Sequence, residues 1–396
     1  MNRFPKMMLL LTFLAWQAAG CAWLKRSIEG TETLEDQKVT GLEFRAAGGV
    51  TEICAGGAPV QLQVTATIEG QPAKSTWFFG PDGKATKKGH LSFDEFSFNS
   101  GLGQIGQDGM LQVPNLGLAL LGRAAEVEVS SEYHPGLQAL LKLPIHFGCS
   151  QVVIGSGAGG RGGTSGNAGR SGSHGRGESS SGSYAKPGGD GQNGERGGPG
   201  GHAGDGEPGH NLTVDLAKIH GPKGEELVLV RISDSSRDGD PQSLILDPSR
   251  GAKLLIKANG GAGGRGGQGG TGGYGGSGGT GSPPGNGGNG GDGGDGGDGG
   301  NGSDGGQVTI RHDARHLDLA QMIEVENRGG PGGQAGSAGS AGSGGNCNSG
   351  AQQGHRGQRG RDGQRRGRDG QDGPPAIFQH VPANQLFPDL GDLKLL

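Results

Sequence analysis

The chain has no large excess of either charge, little proline and no evident catalytic constellation. Its 396 residues carry a formal net charge of −4, and the arginines between positions 356 and 368 alternate with aspartates, which argues against nucleic-acid binding. Only 20 residues are proline, too few for a collagen triple helix. The 11 histidines are scattered. We therefore expect a protein that is not an enzyme and needs no cofactor.

No metal site is predicted either. His312 and His316 have a spacing that would suit a metal on a helix, but the preceding residues 308 to 310 have the pattern of a strand and no third ligand is evident. An ordinary solvated pair is the better interpretation. Strings of the form GxGxxG are frequent here by composition alone and do not indicate a dinucleotide site.

What the sequence does contain is 93 glycines, many of which recur at a fixed spacing. Two runs of equal length, residues 260 to 281 and 285 to 306, are joined by Ser282, Pro283 and Pro284, and each has a side chain at every third position. In the first run these are Ala262, Arg265, Gln268, Thr271, Tyr274, Ser277 and Thr280; in the second they are Asn286, Asn289, Asp292, Asp295, Asp298, Asn301 and Asp304.

A period of three matches the extended left-handed helix of the polyproline II type, so each run predicts a straight rod and the pair predicts an antiparallel hairpin. Weaker versions of the same pattern occupy residues 157 to 200 and 330 to 373, with one extra residue at Arg365 and Arg366. The sequence thus predicts three hairpins and six rods. Short apolar segments between them read as strands that supply a core for this half.

Disorder is the competing interpretation. Fixing one residue costs about 1 to 2 kcal/mol, whereas a net hydrogen bond returns only about 0.5 to 1.5 kcal/mol. The rods should therefore be ordered together or not at all. A calcium-binding repeat is disfavoured because Asp292, Asp295 and Asp298 would stand about 9 Å apart on one rod. We expect a solvated acidic column, paired with a rod that carries Arg356, Arg359, Arg361 and Arg368.

These runs resemble the polyglycine II bundles of springtail glycine-rich antifreeze proteins and of tailed-phage receptor-binding adhesins. The resemblance covers about residues 155 to 210, 259 to 306 and 329 to 373, and residues 354 to 373 are also similar to collagen. It implies either ice binding through a flat face of small residues or adhesion.

The N-terminus has the layout of a secretory signal. Asn2, Arg3 and Lys6 precede an apolar stretch that is too short to span a bilayer. The stretch ends in Ala18, Ala19, Gly20 and Cys21, which resembles the bacterial lipobox. The resemblance implies a signal peptide over residues 1 to 20, lipidation of Cys21 and, since residue 22 is not Asp, an outer-membrane lipoprotein. A plain secretory signal is the alternative.

Residues 31 to 154 have a globular composition and alternating strands, of which Val60 to Ile68 is the clearest. Short strands at this spacing predict a β-sandwich. The stretch from Ser100 to Asn115 is similar to a segment of bacterial immunoglobulin-like domains, which implies that fold. With Cys21 acylated, Cys54 and Cys149 are the expected disulfide, and Cys347 is left as a free thiol.

We therefore expect an all-β protein: an immunoglobulin-like sandwich followed by a polyglycine II rod bundle with short flanking strands. The predicted divisions are residues 1 to 20 (signal), 21 to 30 (linker), 31 to 154 (sandwich), 155 to 376 (bundle, with strands inserted at 211 to 258 and 307 to 328) and 377 to 396 (a tail that docks on a rod or on a neighbouring chain). The function expected is non-enzymatic: a membrane-anchored envelope protein with a surface or matrix partner. A ligand or ice binder and a disordered spacer are the alternatives.

Overall fold

The computed structural model describes residues 30 to 77, 87 to 178, 186 to 388, 390 and 395, and it is all-β. Its strands, in chain order, are β1 Val39–Ala46, β2 Ile53–Cys54, β3 Val60–Ile68, β4 Lys74–Ser75, β5 Phe96–Ser100, β6 Gln104–Ile105, β7 Met110–Gln112, β8 Ala124–Ser131, β9 Gln138–His146, β10 Gln151–Ile154, β11 Leu212–His220, β12 Glu226–Asp234, β13 Gln242–Leu246, β14 Leu254–Lys257, β15 Val308–His312, β16 Ile323–Glu326 and β17 Ile377–His380. The helical segments described are the 3-10 turns Ala47–Gly49, Phe93–Glu95, Gly117–Leu120, Pro248–Arg250 and Leu317–Met322, and the single α-turn α1, Ala383–Leu386.

The N-terminal half is built from two sheets. One has the order β1-β3-β7-β6 with β4 beside β3, and the other has the order β2-β9-β8-β5. Alternate residues of β3 and β8 point inward because successive side chains of a strand face opposite sides. Leu62, Val64, Val127 and Val129 are fully buried and belong to one apolar cluster, so the two sheets form a sandwich.

The C-terminal half has two further sheets with a core of their own. Strands β10, β14 and β16 form a three-stranded parallel sheet, the base sheet, and β13-β12-β11-β15-β17 form a five-stranded sheet, the bridging sheet. Val214 and Val230 of the bridging sheet pack with Leu254 and Ile256 of the base sheet. These short strands provide the apolar core that the sequence predicts for this half.

The bridging sheet is buried on both faces. Its second face carries Ala217, Ile219, Leu229 and Ile245, which belong to the same apolar cluster as the sandwich. The side chain of Asn115 fixes this junction: its amide donates to the carbonyl of Ile245 at 2.7 Å and its oxygen accepts from the N–H of Ile245 at 3.1 Å. The sandwich and this face of the bridging sheet therefore share one apolar core, and the other face of the bridging sheet packs in a second core with the base sheet.

Each glycine hairpin leaves the base sheet and returns to the bridging sheet. Run 1 (155 to 178) follows β10 and run 2 (186 to 211) enters β11; runs 3 (258 to 281) and 4 (285 to 307) join β14 to β15, and runs 5 (327 to 346) and 6 (352 to 376) join β16 to β17. Runs 1, 3 and 5 therefore extend the parallel strands of one sheet, and runs 2, 4 and 6 extend those of the other. We call the six runs together the glycine lattice.

Backbone hydrogen bonds connect the runs at every third residue. Run 1 donates to run 3 in parallel, as from Gly160 to Ala262 at 2.7 Å, and run 2 donates to run 1 in antiparallel, as from Gly198 to Asn167 at 2.7 Å. The same two patterns repeat through run 6. Every run therefore depends on its neighbours for these bonds.

Two features differ from the sequence-based expectations. Strand β10 falls within the predicted sandwich segment, 31 to 154, but it pairs with β14 in the base sheet of the other half. The described part of the tail docks on the bridging sheet and not on a run: Ala383, Leu386 and Phe387 are buried in the cluster that includes Ile219. Ala217 and Ile219 present an apolar surface on the bridging sheet, and the tail covers it. The three-residue period of the runs gives no indication of this contact.

Candidate functional site

The position of each run in the lattice explains how much glycine it has. Runs 3 and 4 each bond to four neighbours, and they have glycine at two of every three positions. A Cβ at Gly260 would overlap the carbonyl of Ser303 on run 4, and one at Gly261 would overlap that of Ala158 on run 1. Two columns of run 3 are thus closed to side chains, and the third must point away from the lattice.

One broad face of the lattice, the neutral face, is formed by the outward columns of runs 1, 3 and 5. Its residues are Gly159, Gly162, Ser165, Ala168, Ser171, His174 and Gly177; Ala262, Arg265, Gln268, Thr271, Tyr274, Ser277 and Thr280; and Pro331, Gln334, Ser337, Ser340, Ser343 and Asn346. Arg265 is the one Lys, Arg, Asp or Glu among them, and Arg328, at the base of the run 5 column, adds a second exposed cation. Tyr274 stands near the middle with 64% of its surface exposed. This face offers hydroxyls, amides and small residues on a straight scaffold.

The opposite face, the charged face, is formed by runs 2, 4 and 6. Run 4 contributes the Asn and Asp column, run 2 contributes Asp190, Asn193, Arg196, Pro199, His202, Asp205 and Pro208, and run 6 contributes Gln352, His355, Gln358, Arg361, Gln364, Arg365, Arg368 and Gln371. The two kinds of side chain that the sequence interleaves are therefore segregated onto opposite faces.

The Asn and Asp column of run 4 is not simply solvated. Each member accepts a hydrogen bond from a backbone N–H of run 6, for example Asn289 from His355 at 2.8 Å, Asp292 from Gln358 at 2.7 Å and Asp295 from Arg361 at 2.7 Å. Run 2 supplies similar acceptors for run 4: the side chain of Asp190, for example, accepts a hydrogen bond from the N–H of Asn286 at 2.7 Å. We call this pattern the side-chain ladder; it satisfies N–H groups that no neighbouring carbonyl reaches.

The extra residue in run 6 is absorbed by the same ladder. Asp298 accepts from the N–H of Gln364 at 2.8 Å and also from that of Arg365 at 3.0 Å. Before this point run 4 donates from Gly296 to Arg361, and after it from Gly299 to Arg365, so the phase shifts by one residue. The sequence predicts that the acidic column pairs with the arginines of run 6. It does contact Arg361 and Arg365, but through the backbone N–H groups of these arginines and not through their guanidinium groups.

A cleft of about 630 Å³ lies where the sandwich meets the bridging sheet. Arg250 donates to Glu52 at 2.6 Å, and this hydrogen bond lowers the pKa of the Glu52 carboxyl. Burial lowers the pKa of His146, whose Nε2 lies 3.8 Å from the same carboxylate. Glu52 and Arg250 belong to different halves of the chain, so this ion pair holds the halves together at the mouth of the cleft.

A second charged group anchors the tail. Arg315 donates to Asp313 at 2.8 Å, and Asp313 also accepts from the backbone N–H of Ala383 at 3.2 Å. Hydrogen bonds from Arg315 hold the pKa of the Asp313 carboxyl well below its usual range, although burial opposes this. His312 packs edge-on against His380 with ring centroids 4.8 Å apart and lies on a strand, so the spacing of His312 and His316 does not place both on a helix.

The structure joins Cys54 to Cys149 in a disulfide across a sequence separation of 95 residues. Cys347 is a free, half-buried thiol in the bend between runs 5 and 6, and Cys21 lies outside the described residues. In the part of the chain described, no group of three or more His, Cys, Asp or Glu residues could hold a metal ion. No helix within the described ranges is long and apolar enough to cross a membrane.

No protein-family model matches the chain, and no curated protein matches it significantly. Among solved structures, the crystal structure of the S-layer protein SbsC domains 4 and 5 is similar over 53% of this chain and 98% of that chain, at 10% identity and a TM-score of 0.16. A similarity of that size carries no argument, so the fold and the candidate site rest on the geometry described above.

Sequence reasoning missed both the segregation of the two faces and the side-chain ladder. The signal for the ladder was present, since all seven outward residues of run 4 are Asn or Asp. These residues have a short side chain with an oxygen acceptor, the requirement for reaching the backbone of the next run. The signal for the faces was not local, because it depends on which runs become neighbours.

Proposed function

We propose that the chain is a non-enzymatic bacterial envelope protein, anchored through a lipid on Cys21, that presents its glycine lattice as a stiff module for adhesion or matrix contact. The lattice is proposed to be a polyglycine II bundle and the sandwich to be immunoglobulin-like. The observation that carries the proposal is the neutral face, a broad surface almost without charge on a scaffold that is hydrogen-bonded at every third residue.

Physical properties of that face favour contact with a polymer surface. Its backbone is held by neighbouring runs, so little conformational entropy remains to be lost when it binds. Its hydroxyl and amide groups can exchange hydrogen bonds with hydroxyl-rich polymers, and Tyr274 adds an exposed aromatic ring. Desolvation of such a face costs less than desolvation of a charged one.

A binding experiment tests the contact face. Full-length protein would be sedimented with protein-free peptidoglycan sacculi, and Gln268→Lys on the neutral face would be compared with Gln358→Lys on the charged face. Both side chains are exposed and both changes add one positive charge. We expect Gln268→Lys to weaken binding at least five-fold and Gln358→Lys to leave it within two-fold. Equal effects would contradict the assignment of the neutral face.

Two further measurements test stiffness and anchoring. Amide exchange across residues 260 to 306 should be slow throughout; exchange at coil rates would favour the disordered spacer. The unmodified protein should incorporate labelled palmitate, and Cys21→Ser should abolish that incorporation. Labelling of the variant, or no labelling of the unmodified protein, would contradict lipid anchoring.

Ice binding is the second candidate, and the segregation of charge favours it. Arg, Asp and Asn residues, which would interrupt a flat face of small residues, are concentrated on the charged face, whereas Thr271, Ser340 and their neighbours lie together on the neutral face. Thermal hysteresis in dilute solution, abolished by Thr271→Lys but not by Gln358→Lys, would support this function. Its absence in the unmodified protein would exclude it.

A further inference from the structure

The free edge of run 6 carries a concentration of arginines that no other run matches. Between residues 354 and 373 there are six arginines and three aspartates, in a chain whose net charge is −4. We call the set Arg356, Arg359, Arg361, Arg365, Arg366 and Arg368 the arginine edge; three of them, Arg361, Arg365 and Arg368, belong to the column that run 6 contributes to the charged face, and the other three lie in the adjacent column. At about 3.1 Å per residue it extends over roughly 35 Å, and the bonds to runs 4 and 5 hold it straight.

Among the described residues, the carboxylates of run 4 form no ion pair with the guanidinium groups of this edge. Asp295 accepts from the N–H of Arg361 at 2.7 Å and from the guanidinium of Arg196 on run 2 at 3.4 Å. Asp298 accepts from two N–H groups of run 6 and lies 3.7 Å from His202. The carboxylates of the acidic column thus accept hydrogen bonds from backbone N–H groups and interact with side chains of run 2. They form no hydrogen bond with the guanidinium groups of run 6 in the described residues.

Few of these arginines form ion pairs within run 6. Arg359 pairs with Asp362 at 2.8 Å and Arg366 pairs with Asp369 at 3.5 Å. Asp362 and Asp369 also accept from the N–H groups of Ala338 and Gly332 on run 5. Over the described residues, no ion pair is formed by the other four, which are Arg356, Arg361, Arg365 and Arg368.

We propose that the arginine edge binds a linear acidic polysaccharide through its carboxylates. Guanidinium groups bind carboxylates with two parallel hydrogen bonds, and a straight row of them one run wide suits an extended chain better than a small anion or a plane. Run 6 has no Phe, Tyr or Trp between positions 354 and 373 on which bases could stack, so a single-stranded nucleic acid is disfavoured. This site is separate from the neutral face and does not depend on the function proposed for that face.

The test uses full-length protein and polygalacturonate, with binding measured by calorimetry at several salt concentrations. The variant Arg361→Gln/Arg365→Gln/Arg368→Gln removes three unpaired cations while it retains the backbone bonds of the lattice. The matched control is Arg161→Gln/Arg170→Gln/Arg176→Gln on run 1, where the exposed arginines lie at the opposite edge. We expect about ten-fold weaker binding and a shallower salt dependence for the first variant, and a change within two-fold for the control.

Several outcomes would overturn the proposal. They are an absence of binding by the unmodified protein, equal losses in both triple variants, and equally tight binding to uncharged dextran. Tighter binding to anionic phospholipid vesicles or to duplex DNA, weakened by the same variant, would reassign the edge to those partners. Gln268→Lys should leave polygalacturonate binding unchanged, which separates this test from that of the neutral face.

Two additional variants guard against misfolding and check the chemistry. If the triple variant does not fold, Arg356→Gln alone should still weaken binding about two-fold. Replacing the three arginines by lysine retains the charge but loses the planar fork, so affinity should lie between those of the unmodified protein and the glutamine variant. A lysine variant as weak as the glutamine variant would contradict a role for charge.

Discussion

The sandwich and the glycine lattice hold neighbouring strands or runs together in opposite ways. In the sandwich, side chains such as Leu62 and Val127 fill the space between two sheets, and the backbone is kept apart from the neighbouring layer. In the lattice there is no space to fill, because glycine lets six backbones approach until they bond directly. The comparison teaches that a methyl group is a stabilising element in one half of this chain and an obstruction in the other.

The largest expected effect is at an interior glycine. We expect Gly270→Ala to lower the free energy of unfolding by at least about 4 kcal/mol, because its Cβ would overlap the carbonyl oxygen of Asn167 and separate runs 1 and 3. Gly162→Ala is the matched control, since its Cβ would lie 3.6 Å from the nearest heavy atom, the carbonyl oxygen of Arg265.

Chemical denaturation of both variants measures the difference. Gly162→Ala should be neutral or slightly stabilising because alanine reduces the entropy of the unfolded chain. If Gly270→Ala were tolerated as well as Gly162→Ala, the close approach of the runs would be wrong.

In the sandwich, the removal of a side chain, rather than its addition, is expected to destabilise the protein. Leu62→Ala should destabilise the protein by about 3 kcal/mol, since Leu62 is fully buried and its loss leaves a cavity. Urea unfolding gives the value, and Leu140→Ala, at a side chain that is 55% exposed, is the control. A loss at Leu140 as large as that at Leu62 would contradict the assigned core.

Acid should release the tail before it disrupts the lattice. The pKa of Asp313 is lowered on folding, so its contribution is fully present above the unfolded value of about 4 and is lost as the pH falls through the folded value. We expect Asp313→Asn to lose about 1 to 3 kcal/mol at neutral pH and to show a weaker dependence on acid.

Amide exchange of Phe387, a buried tail residue, reports this release at pH values from 7 down to 2. The unmodified protein should lose protection at Phe387 as the pH falls, while the amides of run 3 stay protected because backbone bonds do not titrate. Simultaneous loss in both regions would show that the tail and the lattice unfold together.

The smallest expected effect is in the side-chain ladder. Asn289→Ala removes the acceptor for the N–H of His355, and because the site is exposed the cost should be about 1 kcal/mol. Exchange at His355 should then be about five-fold faster. Gln268→Ala on the neutral face, which removes no hydrogen bond of the ladder, should leave His355 unchanged; a similar acceleration in both would argue against the ladder.

Much of the architecture could be anticipated from the residues. The period of three, the three hairpins and strands such as β3 are local patterns, and local patterns can be read from one sequence. Pairing of Val152 with Leu255, or of Thr309 with Ile377, joins segments that are far apart in the chain, so the parallel pairings of the base sheet and of the bridging sheet could not be derived. For the same reason the outward columns of runs 1, 3 and 5 could not be grouped into one face.

The hairpins also set a rule for how this protein can change in length. Because every run starts or ends at the same two sheets and all described bends lie at the far end, adding three residues to each run of one hairpin lengthens that hairpin without disturbing the base. An insertion of one residue would rotate every later column by a third of a turn unless it is accommodated locally, as the extra residue of run 6 is at Asp298. The lattice can therefore change in length in steps of three residues, and run 6 departs from that step at one place, beside Asp298.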